Sequence, residues 1–234
     1  MTTTAYITSA DITSADTALT KAKPTTTFDP TDAAGMKAWY RKGTGITVTG
    51  AGVSKWADQS GNGNDLLQAT DTNRPSQEAD GSILFDGVDN KLKCASFTLV
   101  QPETVYLLIK QVTWTANAYI FDGNTDTAMA VFLAVVTPEV RAYGGITSAV
   151  NGDLAIGSYG VLSVVFNGAS SVLQVDNNTP VTGDFGSVSA GGFTLANAAV
   201  SPRAANIQVK EVLVYNTAHD AATRAKVIAY LSNL

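Results

Sequence analysis

Residues 56–66 read Trp56-Ala57-Asp58-Gln59-Ser60-Gly61-Asn62-Gly63-Asn64-Asp65-Leu66, and residues 84–89 read Leu84-Phe85-Asp86-Gly87-Val88-Asp89. The first stretch lies between a strand-like Val53-Ser54-Lys55-Trp56 and the apolar Leu66-Leu67. Its glycines, asparagines and aspartates reach left-handed backbone cheaply and hydrogen-bond their own main chain. The spacing therefore predicts a tight, ordered loop. The second stretch ends a strand, Ser82-Ile83-Leu84-Phe85, which is broken at Asp86-Gly87. A structured turn feeding short strands sets the expectation for everything around it.

Outward from there, strand candidates alternate with turn residues. Before the loop come residues 37–41 and 46–49. After it come 92–99, 104–111, 118–121, 128–136, 139–143, 159–166, 171–175, 180–182, 192–195 and 207–215. Many short strands at such spacing predict a sandwich or a barrel. The run Val105–Ile109 is apolar at every position, so that strand should be covered on both faces. Asn167-Gly168 between two apolar runs is a strong hairpin signal. Trp39 and Trp56 fall inside strand-like segments and are expected in the core.

Both ends of this region carry helix signals. Asp29 followed by Pro30 and Asp32 reads as a cap and first turn. Near the carboxyl end, Thr217 with Asp220 three residues on has capping-box spacing, and Val227, Ile228 and Leu231 share one helical face. On that reading His219 is a solvated first-turn residue.

Residues 1–27 differ in kind. They are rich in Thr, Ser and Ala and repeat Ile7-Thr8-Ser9-Ala10-Asp11 as Ile12-Thr13-Ser14-Ala15-Asp16. A period of five gives neither a helical nor a strand face, and Lys21-Ala22-Lys23-Pro24 reads as a linker. The segment is expected to be an extended arm, packed along its own domain or ordered against another subunit. Residues 28–234 form the domain.

Composition narrows the function classes. The formal charge is -5 and no Lys- or Arg-rich run occurs, so nothing resembles the basic footprint that neutralises phosphates. Nucleic acid is not an expected partner. The longest apolar run, residues 128–136, is too short to cross a bilayer, and membrane insertion is not expected. Cys94 is the single cysteine and has no intramolecular partner, which fits folding in a reducing cytoplasm. The first residues lack the basic head and apolar run of a secretory signal.

The W-x-D-x-S-G-N-G-N-D-L loop followed by F-D-G-V-D resembles the opening region of concanavalin A-like (laminin G-like) domains. Trp39-Tyr40 after an F-D-P-x-D opening, and a terminal E-V-L-V-Y-N strand followed by a short helix, are similar to that family's two ends. The resemblance implies an all-β fold: a two-sheet antiparallel jelly-roll sandwich with a short carboxyl-terminal helix and an extended amino-terminal arm. The combination of one such domain with a Thr/Ser/Ala-rich arm looks like domains of bacteriophage virion proteins. It implies a head decoration, head fibre or tail-fibre component, made in the host cytoplasm and forming a homo-oligomer. Residues 1–27 would contact other virion subunits, and the sandwich would face outward toward host-surface carbohydrate. The alternative is a free-standing bacterial lectin or carbohydrate-binding module, secreted or at the cell surface.

Candidate chemistry is sparse. Glycosidase members of the family carry an E-x-D-x-x-E strand, whereas Glu78, Glu103, Glu139 and Glu211 occur in no such spacing. One histidine and one cysteine leave few options for a Ser-His-Asp triad, a Cys-His pair or a zinc site, so the expectation is a protein that is not an enzyme. Asp58 to Asn64 resembles the first half of a calcium loop, but the twelfth position is Ala69 in place of a bidentate glutamate. A self-bonded turn explains the same residues; if calcium binds, Asp58, Asn62 and Asp65 are its ligands. For sugar stacking, Trp114, Tyr119 and Tyr143 lie near strand ends and are the candidate contacts, with core packing the favoured reading for any one of them.

Overall fold

The structure is a computed structural model that describes residues 28–125, 128–149, 151 and 154–234. The arm at residues 1–27 lies outside these, and so do the subunit contacts and oligomer expected of it. The described chain is a two-sheet antiparallel sandwich closed by one α-helix. Its strands are β1 (Met36–Tyr40), β2 (Ile46–Thr49), β3 (Gly52–Trp56), β4 (Leu66–Leu67), β5 (Ser76–Gln77), β6 (Ile83–Asp86), β7 (Leu92–Lys93) and β8 (Glu103–Gln111). They continue as β9 (Tyr119–Asp122), β10 (Ala130–Leu133), β11 (Val140–Tyr143), β12 (Tyr159–Phe166), β13 (Ser171–Val175), β14 (Val181–Gly183), β15 (Thr194–Leu195) and β16 (Asn206–Tyr215). The helix α1 spans Ala221–Ser232.

The first sheet runs β14-β13-β12-β8-β16-β6-β5, and β1 also pairs with β16. A bulge between Val209 and Glu211 divides β16, whose first half holds β6 and whose second half holds β1. The second sheet runs β11-β10-β9-β15-β7-β4-β3-β2. Alternate residues of both sheets meet in one core. Trp56, Tyr40, Phe193 and Phe121 form a chain of ring contacts through it, with centroids 5.8, 6.4 and 5.2 Å apart.

The outer face of the first sheet is also buried. Val227, Ile228 and Leu231 of α1 pack on Tyr106, Leu108, Val161, Leu213 and Tyr215, with Trp39 and Ala33 beside them. This is why β8 carries apolar residues on both faces. Asp29 caps the opening turn as expected, accepting from Thr31 N at 2.8 Å while Asp32 reaches back to Asp29 N at 3.0 Å. The Asn167-Gly168 hairpin forms between β12 and β13, its four-residue link containing a 3-10 turn over Gly168–Ser170.

The loop at residues 57–65 joins the two sheets. It leaves β3 and returns as β4 in the second sheet, yet its hydrogen bonds go to β1 in the first. Asp58 Oδ1 accepts from Trp39 N (2.9 Å) and Ser60 N (2.8 Å), and Oδ2 accepts from Ser60 Oγ (2.8 Å) and Asn64 N (3.0 Å). Asn64 Nδ2 donates to Lys37 O at 2.8 Å, and Gln59 N donates to Trp39 O at 2.7 Å. Gly61 and Gly63, at φ of 86° and 76°, supply the left-handed turns that let the loop fold over this edge.

The carboxyl-terminal expectation needs two corrections. The helix cap is Asp220, whose Oδ1 accepts from Thr223 N at 2.7 Å; Thr217 instead receives a bond from Thr104 Oγ1 at its carbonyl. His219 is not solvated. It is 6% exposed, between Tyr106, Tyr215 and the opening segment. Its Nε2 lies 3.0 Å from the Ala34 carbonyl, which can only accept, so the proton sits on Nε2 and Nδ1 accepts from the Tyr106 hydroxyl at 2.9 Å. Burial was invisible locally because Thr104, Tyr106 and Ala34 come from distant parts of the chain.

Burial pushes the His219 pKa below its ordinary 6.5, and Arg224 acts in the same direction, against the Ala34 bond and Asp220. The unfolded chain takes up a proton near pH 6.5 that the folded chain resists. This contribution to stability is therefore complete above about pH 6.5 and is lost as the pH falls below it. The imidazole 15N resonances should report a ring that, when neutral, is protonated at Nε2 and that titrates below pH 6.5. A cationic ring at that pH would contradict the assignment.

Candidate functional site

With α1 packed on the first sheet, no helix among the described residues covers the outward face of the second sheet. Side chains alternate along its strands. Val131, Leu133, Val140, Ala142 and Phe121 point inward to the core, and Ala130, Phe132, Arg141, Tyr143 and Tyr119 take the other side. Strand register then sets four of these side by side. Arg141 pairs with Phe132, Phe132 pairs with Tyr119, and Tyr119 bridges to Ala204 next to Arg203.

The row is built from contacts as well as register. The Phe132 and Tyr119 rings are stacked, 5.6 Å between centroids and 26° between planes. The Arg203 guanidinium sits 5.3 Å from the centroid of the Tyr119 ring, and Tyr119 N donates to Arg203 O at 2.7 Å. Tyr119 is thereby only 5% exposed, while Phe132 is half-buried and both arginines are exposed. The sequence of groups across the sheet is cation, aromatic, aromatic, cation.

A cleft lies on each side of the row. One, about 160 Å³, is lined by Asn117, Phe132, Ala134, Val135, Val136, Glu139 and Arg141. The other, about 500 Å³, includes Val88, Asn117, Pro202 and Arg203. Asn117 belongs to both. It occupies a left-handed conformation at φ 62°, in a turn closed by Ala118 N donating to Thr115 O at 3.1 Å. Asparagine tolerates that conformation better than most side chains. Its exposed amide stands between the two clefts.

The expected sugar contacts divide here. Tyr119 and Tyr143 do share the outward face, Tyr143 half-buried opposite Ala130. Tyr119 is held inside the row rather than presented. Trp114 packs against the inter-sheet core, and its Nε1 donates to Ala134 O at 3.1 Å, so it backs the smaller cleft. Phe132, Arg141, Arg203 and Asn117 were not among the expected residues; alternation in Ala130-Val131-Phe132-Leu133 was the available signal for Phe132.

The calcium reading does not fit the donors. Both Asp58 oxygens accept bonds from N–H or O–H groups, as given above. Asp65 Oδ1 accepts from Asp58 N at 2.9 Å and Oδ2 pairs with Lys55 Nζ at 2.5 Å. Asn62 Nδ2 donates to Met36 O, Lys37 O and Ser60 Oγ at 3.2, 3.3 and 3.0 Å. A cation would displace the donors that hold the loop to β1. Among the described residues no group of three His, Cys, Asp or Glu side chains could hold a metal ion.

Two larger clefts, about 710 and 610 Å³, flank α1 and share Phe28 and Lys226. Their buried ionisable groups are bonded within the fold: His219 as described, and Glu211, whose Oε1 accepts from Trp39 Nε1 and Tyr230 Oη, both at 2.7 Å. Burial raises the Glu211 pKa, and these two bonds oppose the rise.

No family model matches the chain, and no curated protein sequence matches it. Solved structures do. Trypanosoma rangeli sialidase in complex with sialic acid aligns with 86% of this chain at TM-score 0.61 and 14% identity, and this chain covers 33% of the sialidase chain. Domain 4 of AbnA, a GH43 extracellular arabinanase from Geobacillus stearothermophilus in complex with arabinotriose, aligns with 83% at TM-score 0.57 and 12% identity, over 98% of that chain. A mutant GH54 α-L-arabinofuranosidase soaked with 4-nitrophenyl α-L-arabinofuranoside aligns with 84% at TM-score 0.56 and 13% identity, over 59% of that chain.

At these identities the likeness is one of fold, a β-sandwich of the concanavalin A-like kind. It also corrects the expectation that the chain is not an enzyme. Chains that share its fold include those of a sialidase and glycoside hydrolases, so the missing E-x-D-x-x-E strand does not exclude activity.

Proposed function

We propose that this chain is a carbohydrate-recognising sandwich domain that binds sugar on the outward face of its second sheet. The observation that carries the reading is the Arg141–Phe132–Tyr119–Arg203 row, set between two clefts that share Asn117. An aromatic ring offers a flat apolar surface to the C–H face of a sugar, and guanidinium and amide groups donate to its oxygens. Structures sharing the fold were solved with sialic acid and with arabinotriose, which supports the same ligand class.

Phe132→Ala should abolish most of the affinity for any oligosaccharide the chain binds, by tenfold or more in isothermal titration calorimetry. The ring is half-buried on the surface, so the thermal transition should move little by comparison. Unchanged sugar affinity in a folded Phe132→Ala protein would place the binding surface elsewhere.

A further inference from the structure

We propose that the ligand of this face is an acidic oligosaccharide, one bearing carboxylate groups that Arg141 and Arg203 engage. The inference rests on the carbohydrate reading above and narrows it. The chain has a formal charge of -5, yet the only exposed charged residues of the row are two arginines, one at each end. A guanidinium presents paired N–H donors in a plane that matches a carboxylate, and a stacked guanidinium keeps those edge donors outward. The Arg203 guanidinium lies 5.3 Å from the Tyr119 ring centroid and its side chain is exposed.

Lys91 and Lys93 lie on β7 and its flank, with Nζ donating to Ala199 O at 3.3 Å and Asn124 O at 2.9 Å. Lys55 is paired with Asp65 farther along the sheet. Among the described acidic residues, Glu139 lines the smaller cleft with Arg141, Asp86 and Asp89 flank Gly87-Val88 at the larger cleft, and Asp122 is fully buried and accepts from Gly123 N and Ala199 N. Glu139 makes no ion pair with Arg141 within 4 Å, since the two salt bridges among the described residues are Lys55–Asp65 and Arg74–Asp71.

Spacing supports two contact points. Register sets Arg141, Phe132 and Tyr119 on adjacent strands about 4.8 Å apart, and Arg203 stands over Tyr119. Tyr119 is covered, so the half-buried Phe132 ring is the aromatic surface left open between the two guanidiniums. A ligand with carboxylates on more than one residue would meet both.

The test uses the full chain on an array of neutral oligosaccharides and uronic-acid oligosaccharides, followed by calorimetry with oligogalacturonate and its methyl ester. The ester keeps the sugar skeleton and removes the charge. Binding concentrated on the acidic glycans, at least tenfold weaker for the ester and weakened by Arg141→Gln and by Arg203→Gln, is the expected result. Affinity should also fall as salt is raised. Binding confined to neutral glycans, or equal affinity for acid and ester, would overturn this inference and leave the carbohydrate reading in place. No glycan bound in either class would overturn both.

Discussion

Replacing Asp58 with alanine should cost about 3–5 kcal/mol of folding free energy, from four hydrogen bonds to one carboxylate that are each worth roughly 1–3 kcal/mol and are not fully additive. The loss is larger than that of an ordinary loop residue because of what the bonds connect. Trp39 N belongs to β1 of the first sheet, and Ser60 and Asn64 belong to the loop between β3 and β4 of the second. Without the carboxylate, these donors lose their acceptor in a part-buried site, and the loop loses its hold on the β1 edge. Asp58→Asn keeps one acceptor oxygen but turns an NH2 group toward donors, so it should fall between wild type and alanine. Urea unfolding of the three proteins measures this. An alanine variant within about 0.5 kcal/mol of wild type, the range of ordinary surface changes, would show that the loop does not tie the sheets together.

Glu103→Gln should stabilise the protein at alkaline pH and remove much of its pH dependence. Glu103 opens β8 and is 0% exposed. Among the described residues its carboxylate accepts one bond, from Ala190 N at 3.5 Å, and Oε2 has no partner. Burial raises its pKa to about 8, with the Ala190 bond opposing. The folded chain therefore holds a proton that the unfolded chain releases near pH 4.5. The contribution to stability is complete below about pH 4.5 and is lost as the pH rises toward 8, a change on the order of 4 kcal/mol. Glutamine has the same shape and no charge to bury. Wild type and Glu103→Gln should thus unfold alike at pH 4.5 and diverge by a few kcal/mol at pH 8.5. Parallel stability profiles across that range would mean that water reaches Glu103 and that it ionises normally.

The candidate face was only half legible in the sequence. Aromatic residues near strand ends could be named, and Tyr119 and Tyr143 do project from one face. Their neighbours could not be. Phe132 meets Tyr119 only because the register shifts between Val131 and Phe132, and Arg203 reaches Tyr119 from a segment more than eighty residues away. Cross-strand adjacency depends on register, and a shift of one residue would send each of these side chains to the other face. The same non-locality hid the burial of His219, whose partners Tyr106 and Ala34 sit far from it in the chain.

By itself the sequence determined what local hydrogen bonding and periodicity can settle. The Asp29 cap, the Asn167-Gly168 hairpin, the glycine turns at 61 and 63 and the buried stripe of α1 each follow from residues within a few positions of one another. So does the all-β class, because alternating apolar runs can be buried only by pairing strands into layers. Tertiary structure decided which layers those were. It divided β16 between β6 and β1, turned the Asp58 carboxylate onto β1, and left one sheet face without a helix. Such outcomes depend on covering both faces of β8 and closing one core, and no short window of residues carries that balance.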